Sequence, residues 1–149
     1  MPRWTWKPYA ELDLDELYDL LALRQEVFVV EQDCPYQDAD GQDQLAFHLL
    51  GYDDQGLVAY LRAFGPGVQR PAAVIGRVIT APRTRGTGLG RPLMREGERQ
   101  LRALYPTATI HLSAQAHLEG FYGSLGYAVT GEGYLEDGIP HLPMDQVAR

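Results

Sequence analysis

Lysine is nearly absent from this chain: Lys7 is the only one in 149 residues, and every other cationic side chain is an arginine. That excludes a Walker-type nucleotide loop, which needs a lysine at its end. Cysteine is as scarce. One residue, Cys34, rules out an internal disulfide and fits a reducing compartment. It has no evident histidine partner that would make it a nucleophile. No run approaches the ~18 apolar residues of a membrane span, and Met1-Pro2-Arg3-Trp4 has no apolar stretch behind it of the kind a secretory leader carries. A cytoplasmic location is therefore expected, with no membrane partner. His48, His111, His117 and His141 lack ligand spacing, so no metal is expected. The net charge of −7 argues against nucleic acid as a partner, because phosphate neutralisation dominates such binding. Neither a repeat nor a linker divides the chain, so one domain over 1–149 is expected, large enough for a real core.

What is present is unevenly placed. Residues 1–60 hold thirteen acids against three bases, residues 61–104 nine arginines against two acids, and the remainder five acids against one base. Inside the basic block lies Arg77-Val-Ile-Thr-Ala-Pro-Arg-Thr-Arg-Gly-Thr-Gly-Leu-Gly-Arg-Pro-Leu-Met94. The β-branched residues Val74, Ile75, Val78 and Ile79 predict a strand. Gly86, Gly88 and Gly90 follow at alternate positions, and a helical pattern begins at Leu89. Strand, glycine-rich turn and helix start together build an anion cradle. Glycine lets backbone N–H groups approach a phosphate, and the helix dipole adds positive potential. Arg83, Arg85 and Arg91 surround it with cations, whereas Arg95, Arg99 and Arg102 are expected on the solvated helix face.

The spacing discriminates between cradles. A dinucleotide fingerprint needs Gly-x-Gly-x-x-Gly and a later acid; here the spacing is Gly-x-Gly-x-Gly, and the next strand candidate, Ile110–Gln115, ends in glutamine. Arg85, Gly88 and Gly90 instead match Arg/Gln-x-x-Gly-x-Gly/Ala, which resembles the pyrophosphate loop of the GNAT N-acetyltransferases. A second stretch, Ala114-Gln-Ala-His-Leu-Glu-Gly-Phe-Tyr-Gly-Ser-Leu-Gly-Tyr127, is similar to that family's second cofactor motif. Val29–Asp43 and Glu136–His141, taken with Ala114–Leu118, resemble the ElaA-like branch. The resemblance extends from about Trp6 to Met144.

Periodicity supplies the rest of the outline. A first helix is expected from Leu14 to Val29, with Asp13 as N-cap, Glu16 as its reciprocal partner, and Leu14, Leu17, Tyr18, Leu21 and Phe28 on the buried face. No element is assigned before it. Strands are expected at Phe47–Tyr52 and Leu57–Phe64, joined by a turn at 53–56, then around Val74–Thr80. A helix over Leu89–Leu104 tolerates Pro92 only in its first turn, and Leu89, Leu93, Gly97, Leu101 and Leu104 mark its buried side. A strand at 110–115, a short helix at 117–125, and strands at 127–134 and 141–144, separated by the Asp137-Gly138 turn, complete an α/β chain. This is an α+β mixed sheet with one βαβ unit, in agreement with the mostly antiparallel GNAT fold that the motifs imply.

The resemblance implies acetyl-CoA as co-substrate and an amine as acceptor, with a homodimer as the family expectation. The pantetheine arm would pair with Val78, Ile79 and Thr80, and a backbone N–H at Val78 or Ile79 would serve as oxyanion donor. Pyrophosphate would sit on Arg85, Gly86, Thr87, Gly88, Leu89, Gly90 and Arg91, beside Gln115. Tyr122 would protonate the departing sulfur, while Phe121 is expected in the core. A lysine-like amine, pKa ~10.4, is neutral in roughly one molecule in a few thousand at pH 7, so a base is needed. Glu31, Asp38, Asp40, His48, Glu136 and His141 are the candidates. Glu31 lies at the family's acceptor groove, and His141 has the most suitable unperturbed pKa. The acids crowding Glu31–Asp43 suggest a cationic acceptor. Two other readings remain open at this level: an acyl-CoA-binding sensor without turnover, and a plain interaction domain.

Overall fold

A computed structural model describes residues 1–148. Eight strands form one sheet: β1 Arg3–Pro8, β2 Phe47–Asp53, β3 Gly56–Phe64, β4 Ala73–Thr80, β5 Ile110–Gln115, β6 Ala128–Val129, β7 Tyr134–Glu136 and β8 Ile139–Gln146. Their spatial order is β1-β2-β3-β4-β5-β8-β6, with β7 also paired to β8. Every pairing is antiparallel except β4 with β5, which are joined through helix α2, Gly90–Leu104. Helix α1, Leu14–Arg24, continues directly into a π-helical segment, Gln25–Glu31. A short helix α3, Glu119–Ser124, precedes the last strands.

The sheet is buried on both faces because β3 carries apolar residues in both registers. Ala59, Leu61 and Ala63 join Leu93 and Leu101 of α2 in one core, while Val58 and Tyr60 join Leu20 and Leu23 of α1 in the other. Side chains alternate along a strand, so one strand serves two cores. On the α2 side the approach is close. A Cβ at Gly97 would stand 2.8 Å from Leu61 Cδ2, so glycine there sets the helix–sheet distance.

The N-terminus of α1 follows the expected capping box: Asp13 Oδ1 accepts from the Glu16 amide at 2.7 Å, and Glu16 Oε1 accepts from the Asp13 amide at 2.9 Å. Its buried face overlaps the expected one: Leu17, Leu21 and Phe28 pack against the core, but Leu14 is 85% and Tyr18 74% exposed, and the most deeply buried positions are Leu20, Leu23 and Val27. Apolar residues cover a broad arc of this helix, and the sheet decides which of them lie deepest. On α2, Leu93, Gly97 and Leu101 are buried as expected, together with Met94 and Glu98, but Leu104 is 50% exposed. The first helix ends its α-helical hydrogen bonding at Arg24 rather than Val29. Strand β1 was not foreseen. It pairs along its whole length with β2, and Trp6 stacks on Phe47 at 5.1 Å between ring centroids. The strand expected over 127–134 is two short strands, β6 and β7, both docked on β8. Among the described residues no helix is long and apolar enough to cross a membrane.

Candidate active site

The site originates in a broken ladder. Strands β4 and β5 share two register pairs, Ala73↔Ile110 and Val74↔His111, and then diverge. Beyond that point β5 is paired on its other edge to β8 over its full length. A wedge opens between them, and a cavity of about 470 Å³ fills it. Ile75 to Thr80 line one wall, and Leu112, Ser113 and Gln115 the other. Its roof comes from the π-helical segment (Val27, Phe28, Glu31), the following loop (Cys34, Tyr36) and the β7–β8 turn. The Cys34 thiol meets the Asp137 carbonyl at 3.4 Å, joining loop to turn. A strand edge without a neighbour presents backbone N–H and C=O groups to an extended ligand.

Strand β4 is bulged at the wedge. Tyr60 pairs with Ile79 and Arg62 with Gly76, so two steps on β3 oppose three on β4. The extra residue falls at Arg77–Val78, and Arg77 has φ +51°.

The glycine-rich loop lies beyond the end of β4. Gly86 and Gly88 adopt φ +82° and +77°, a region where side-chain-bearing residues are strained. Among the described residues, the amides of Gly86, Gly88 and Leu89 make no backbone hydrogen bond outside regular elements. Arg85 reaches the cavity, and its guanidinium holds Glu31 at 2.6 Å. Arg83 makes a bidentate pair with Asp53 at 2.7 and 2.8 Å. Arg91 turns to Ser124 Oγ at 2.7 Å. Gly86, Thr87, Gly88, Leu89, Gly90 and Arg91, expected to hold the cofactor, are not among the residues that line the cavity.

Tyr122 stands at the base of the cavity with only 6% of its surface exposed, its ring edge-on to Phe121 and Tyr127. Burial pushes its phenol up to about 12, so it stays protonated through the neutral range. His141 is buried on the opposite flank. Its Nδ1 donates to the Ile139 carbonyl at 2.7 Å, which leaves Nε2 the basic nitrogen, 3.4 Å from Glu136 Oε2. Val78, Ile79, Thr80, Arg85, Gln115, Tyr122, Glu31 and His141 therefore meet around one cavity.

Asp38, Asp40 and His48 do not line it. His48 lies in the core, donating from Nε2 to the Asp43 carbonyl at 2.9 Å and accepting at Nδ1 from Tyr60 at 2.6 Å. Burial holds it below its ordinary pKa. Most of the acidic stretch is not a free negative surface either, because Asp38, Asp40 and Asp43 close an ion-pair ring. Arg24 meets Asp38 at 2.7 Å, Asp38 meets Arg77 at 2.8 Å, and Arg77 meets Asp40 at 3.4 Å. Asp40 meets Arg62 at 2.6 Å, Arg62 meets Asp43 at 2.9 Å, and Asp43 returns to Arg24 at 2.7 Å. Burial alone would raise Asp40 and Asp43, but hydrogen bonds and charge from these arginines outweigh it and hold both carboxyls below the usual range. Composition does not reveal this pairing, since Asp38 and Arg77 are 39 residues apart. Cys34, Tyr36, His117 and Asp137 are also on the cavity wall; each falls within a stretch that carries the family resemblance, but no residue-level signal marks it as part of the site.

The sequence and overall fold are shared with known proteins. The Acetyltransferase (GNAT) domain matches residues 16–147. The protein ElaA of Escherichia coli is 43% identical over 146 residues, which cover 97% of this chain and 95% of that one. Its crystal structure superposes with a TM-score of 0.92 over 98% of this chain and 99% of that one. An acyl-CoA N-acyltransferase from Pseudomonas aeruginosa is 46% identical, with a TM-score of 0.95 over 99% of this chain and all of that one. The chain therefore belongs to the GNAT acetyltransferase family, in the group that includes ElaA.

Proposed function

We propose that this acyltransferase moves the acetyl group of acetyl-CoA directly to a primary amine within a ternary complex. The observation that carries the reading is the wedge between β4 and β5, with an open backbone edge on one side and a protonated Tyr122 at its base. The residues fit coenzyme A. Ile75 to Thr80 suit the amide-bearing pantetheine arm, and the positive-φ loop with Arg85 suits its pyrophosphate. When bound, acetyl-CoA supplies the activated thioester carbonyl.

In this reading the chain's own groups do the remaining work. An amide at Val78 or Ile79 hydrogen-bonds the carbonyl oxygen as it gains charge. His141 Nε2 takes the amine proton, and Glu136 steadies the resulting imidazolium. Glu31, committed to Arg85, is the weaker candidate base. Tyr122 donates its proton to the departing sulfur. A cationic acceptor is supported by Glu136 and Asp137 in the cavity wall rather than by the aspartates of residues 38–43, whose charge is already balanced. The lone cysteine supports a reducing, cytoplasmic setting.

The test is calorimetric titration with acetyl-CoA, followed by thiol release against a panel of amines. Micromolar binding and turnover on cationic amines are expected. Binding with no turnover on any amine would favour an acyl-CoA sensor. No binding would overturn the assignment of Arg85–Gly90.

A further inference from the structure

Three non-glycine residues among those described have positive φ: Asp33, Arg77 and Asp137. Asp33 and Asp137 lie in turns, where aspartate tolerates that conformation. Arg77 lies inside a strand. A long side chain gains nothing there locally, and the left-handed conformation is strained for it. Something outside β4 must compensate.

The compensation is visible at the other end of the side chain. Arg77 Nε donates to Asp38 Oδ1 at 2.8 Å, and Nη2 donates to the Asp38 carbonyl at 3.3 Å and to Asp40 Oδ2 at 3.4 Å. Asp38 is itself fixed. Arg24, fully buried at the end of α1, donates to its carboxylate at 2.7 Å and to its carbonyl at 3.0 Å. Asp40 is held on both oxygens by Arg62 at 2.9 and 2.6 Å. Three arginines and three aspartates alternate around a closed ring of zero net charge, so each ion has two opposite neighbours. No charge in the ring is isolated, although the buried Nε of Arg62 finds no hydrogen-bond partner.

The ring connects elements that meet at the wedge. It gathers the junction of α1 with the π-helical segment, strand β3, the β4 bulge, and the loop whose Cys34 and Tyr36 roof the cavity. The peptide between Arg77 and Val78 takes its orientation from the backbone torsions of Arg77. We infer that Arg77, held by Asp38 and Asp40, is a positioning residue: the ring locks the β4 bulge so that the Val78 amide faces the acyl carbonyl. This rests on the reading above that a β4 amide is the oxyanion donor, and it adds what aims that amide.

The test does not require the acceptor. Isotope-edited infrared spectroscopy of bound [1-¹³C]acetyl-CoA reads hydrogen bonding to the thioester carbonyl directly. In the wild-type protein the carbonyl stretch is expected below its value for free acetyl-CoA. In Arg77→Gly, where positive φ is free of strain but the clamp is gone, the stretch should return more than halfway to the free value. Acetyl-CoA affinity should stay within about threefold. Asp38→Asn should act in the same direction, and Arg77→Lys, which keeps one charged contact, should restore most of the displacement. A wild-type stretch in Arg77→Gly at wild-type affinity overturns the inference, even if its melting temperature falls, because the ring would then be only structural. A wild-type protein that does not bind acetyl-CoA brings down the acyl-CoA reading itself, and this inference with it. Arg77→Gly leaves Arg24 paired to both Asp38 and Asp43, so it remains informative where Asp38→Asn does not fold.

Discussion

Two groups of arginines, each with one member on the cavity wall (Arg77 and Arg85), are held in opposite ways. Arg24, Arg62 and Arg77 sit in the ring, each between two aspartates and each largely shielded from water. Arg83, Arg85 and Arg91 belong to the glycine-loop region. Their partners are single and partly exposed: Asp53, Glu31 and the Ser124 hydroxyl. An exposed ion pair contributes little, typically below about 1 kcal/mol, and is easily exchanged for a phosphate. A buried, doubly matched one is not exchanged at all. Arginine count therefore does not locate an anion site; the quality of the existing pairing does. The basic block of residues 61–104 mixes both kinds.

That contrast can be broken from either side. The largest effect is expected at the glycine loop. Gly88→Glu forces a side chain into φ +77° and sets a carboxylate among the phosphates, so coenzyme A affinity should fall roughly 1,000-fold by calorimetry, strain and like-charge repulsion each contributing. Retained affinity would move the phosphate site elsewhere. Next is Arg24→Met, which leaves Asp38 and Asp43 each short of a buried partner. Denaturant titration should show a loss of about 3 kcal/mol, while the folded protein binds coenzyme A as before. A loss of affinity there would mean that the two arginine groups are not independent.

The acid response of the ring follows in sign. Asp40 and Asp43 have folded-state pKa values below the ordinary value. Their stabilisation is complete above the unfolded carboxylate pKa, about 3.9, and is lost as pH falls through and below it. The melting temperature should hold from pH 8 to about 5 and drop below about 4.5, and the drop should be shallower in Arg24→Met.

Chemistry gives the next effect. Tyr122→Phe keeps the packed ring and removes the proton, so kcat should fall on the order of 100-fold with acetyl-CoA affinity unchanged. Because burial places the phenol at about 12, the wild-type rate should show no alkaline decline from this group up to pH 10. The smallest effect is Glu31→Gln. Freeing Arg85 should tighten coenzyme A binding by up to about fivefold, and the gain should vanish in Arg85→Gln. A gain that survives without Arg85 would mean that Glu31 simply repels phosphate.

The features legible in the sequence are those settled over a few residues. The Asp13–Glu16 capping box, strand β5 at 110–115 and the alternation of Gly86, Gly88 and Gly90 each depend on neighbours within a turn or two. The motif that draws attention to Tyr122, which lines the cavity, is of the same local kind. What escaped depends on partners far along the chain. Strand β1 needs β2 about forty residues later, the most deeply buried positions of α1 are set by the sheet, and the divergence of β4 from β5 accompanies the pairing of β5 with β8. The ring is the extreme case. Its six members are spread from Arg24 to Arg77, and the acids among them look like a solvated loop until the arginines are seen behind it.

The ring also has a bearing on descent. Replacing any one of its six residues alone unbalances the ring and leaves each neighbour with one partner instead of two, so the path from a lineage with the ring to one without it passes through less stable proteins. The six should be inherited as a block, present together or replaced together by apolar side chains. Descendants could drift widely in the loop around Asp38 and Asp40 while those two positions stay fixed, so the loop would diverge in sequence without being free to change its path.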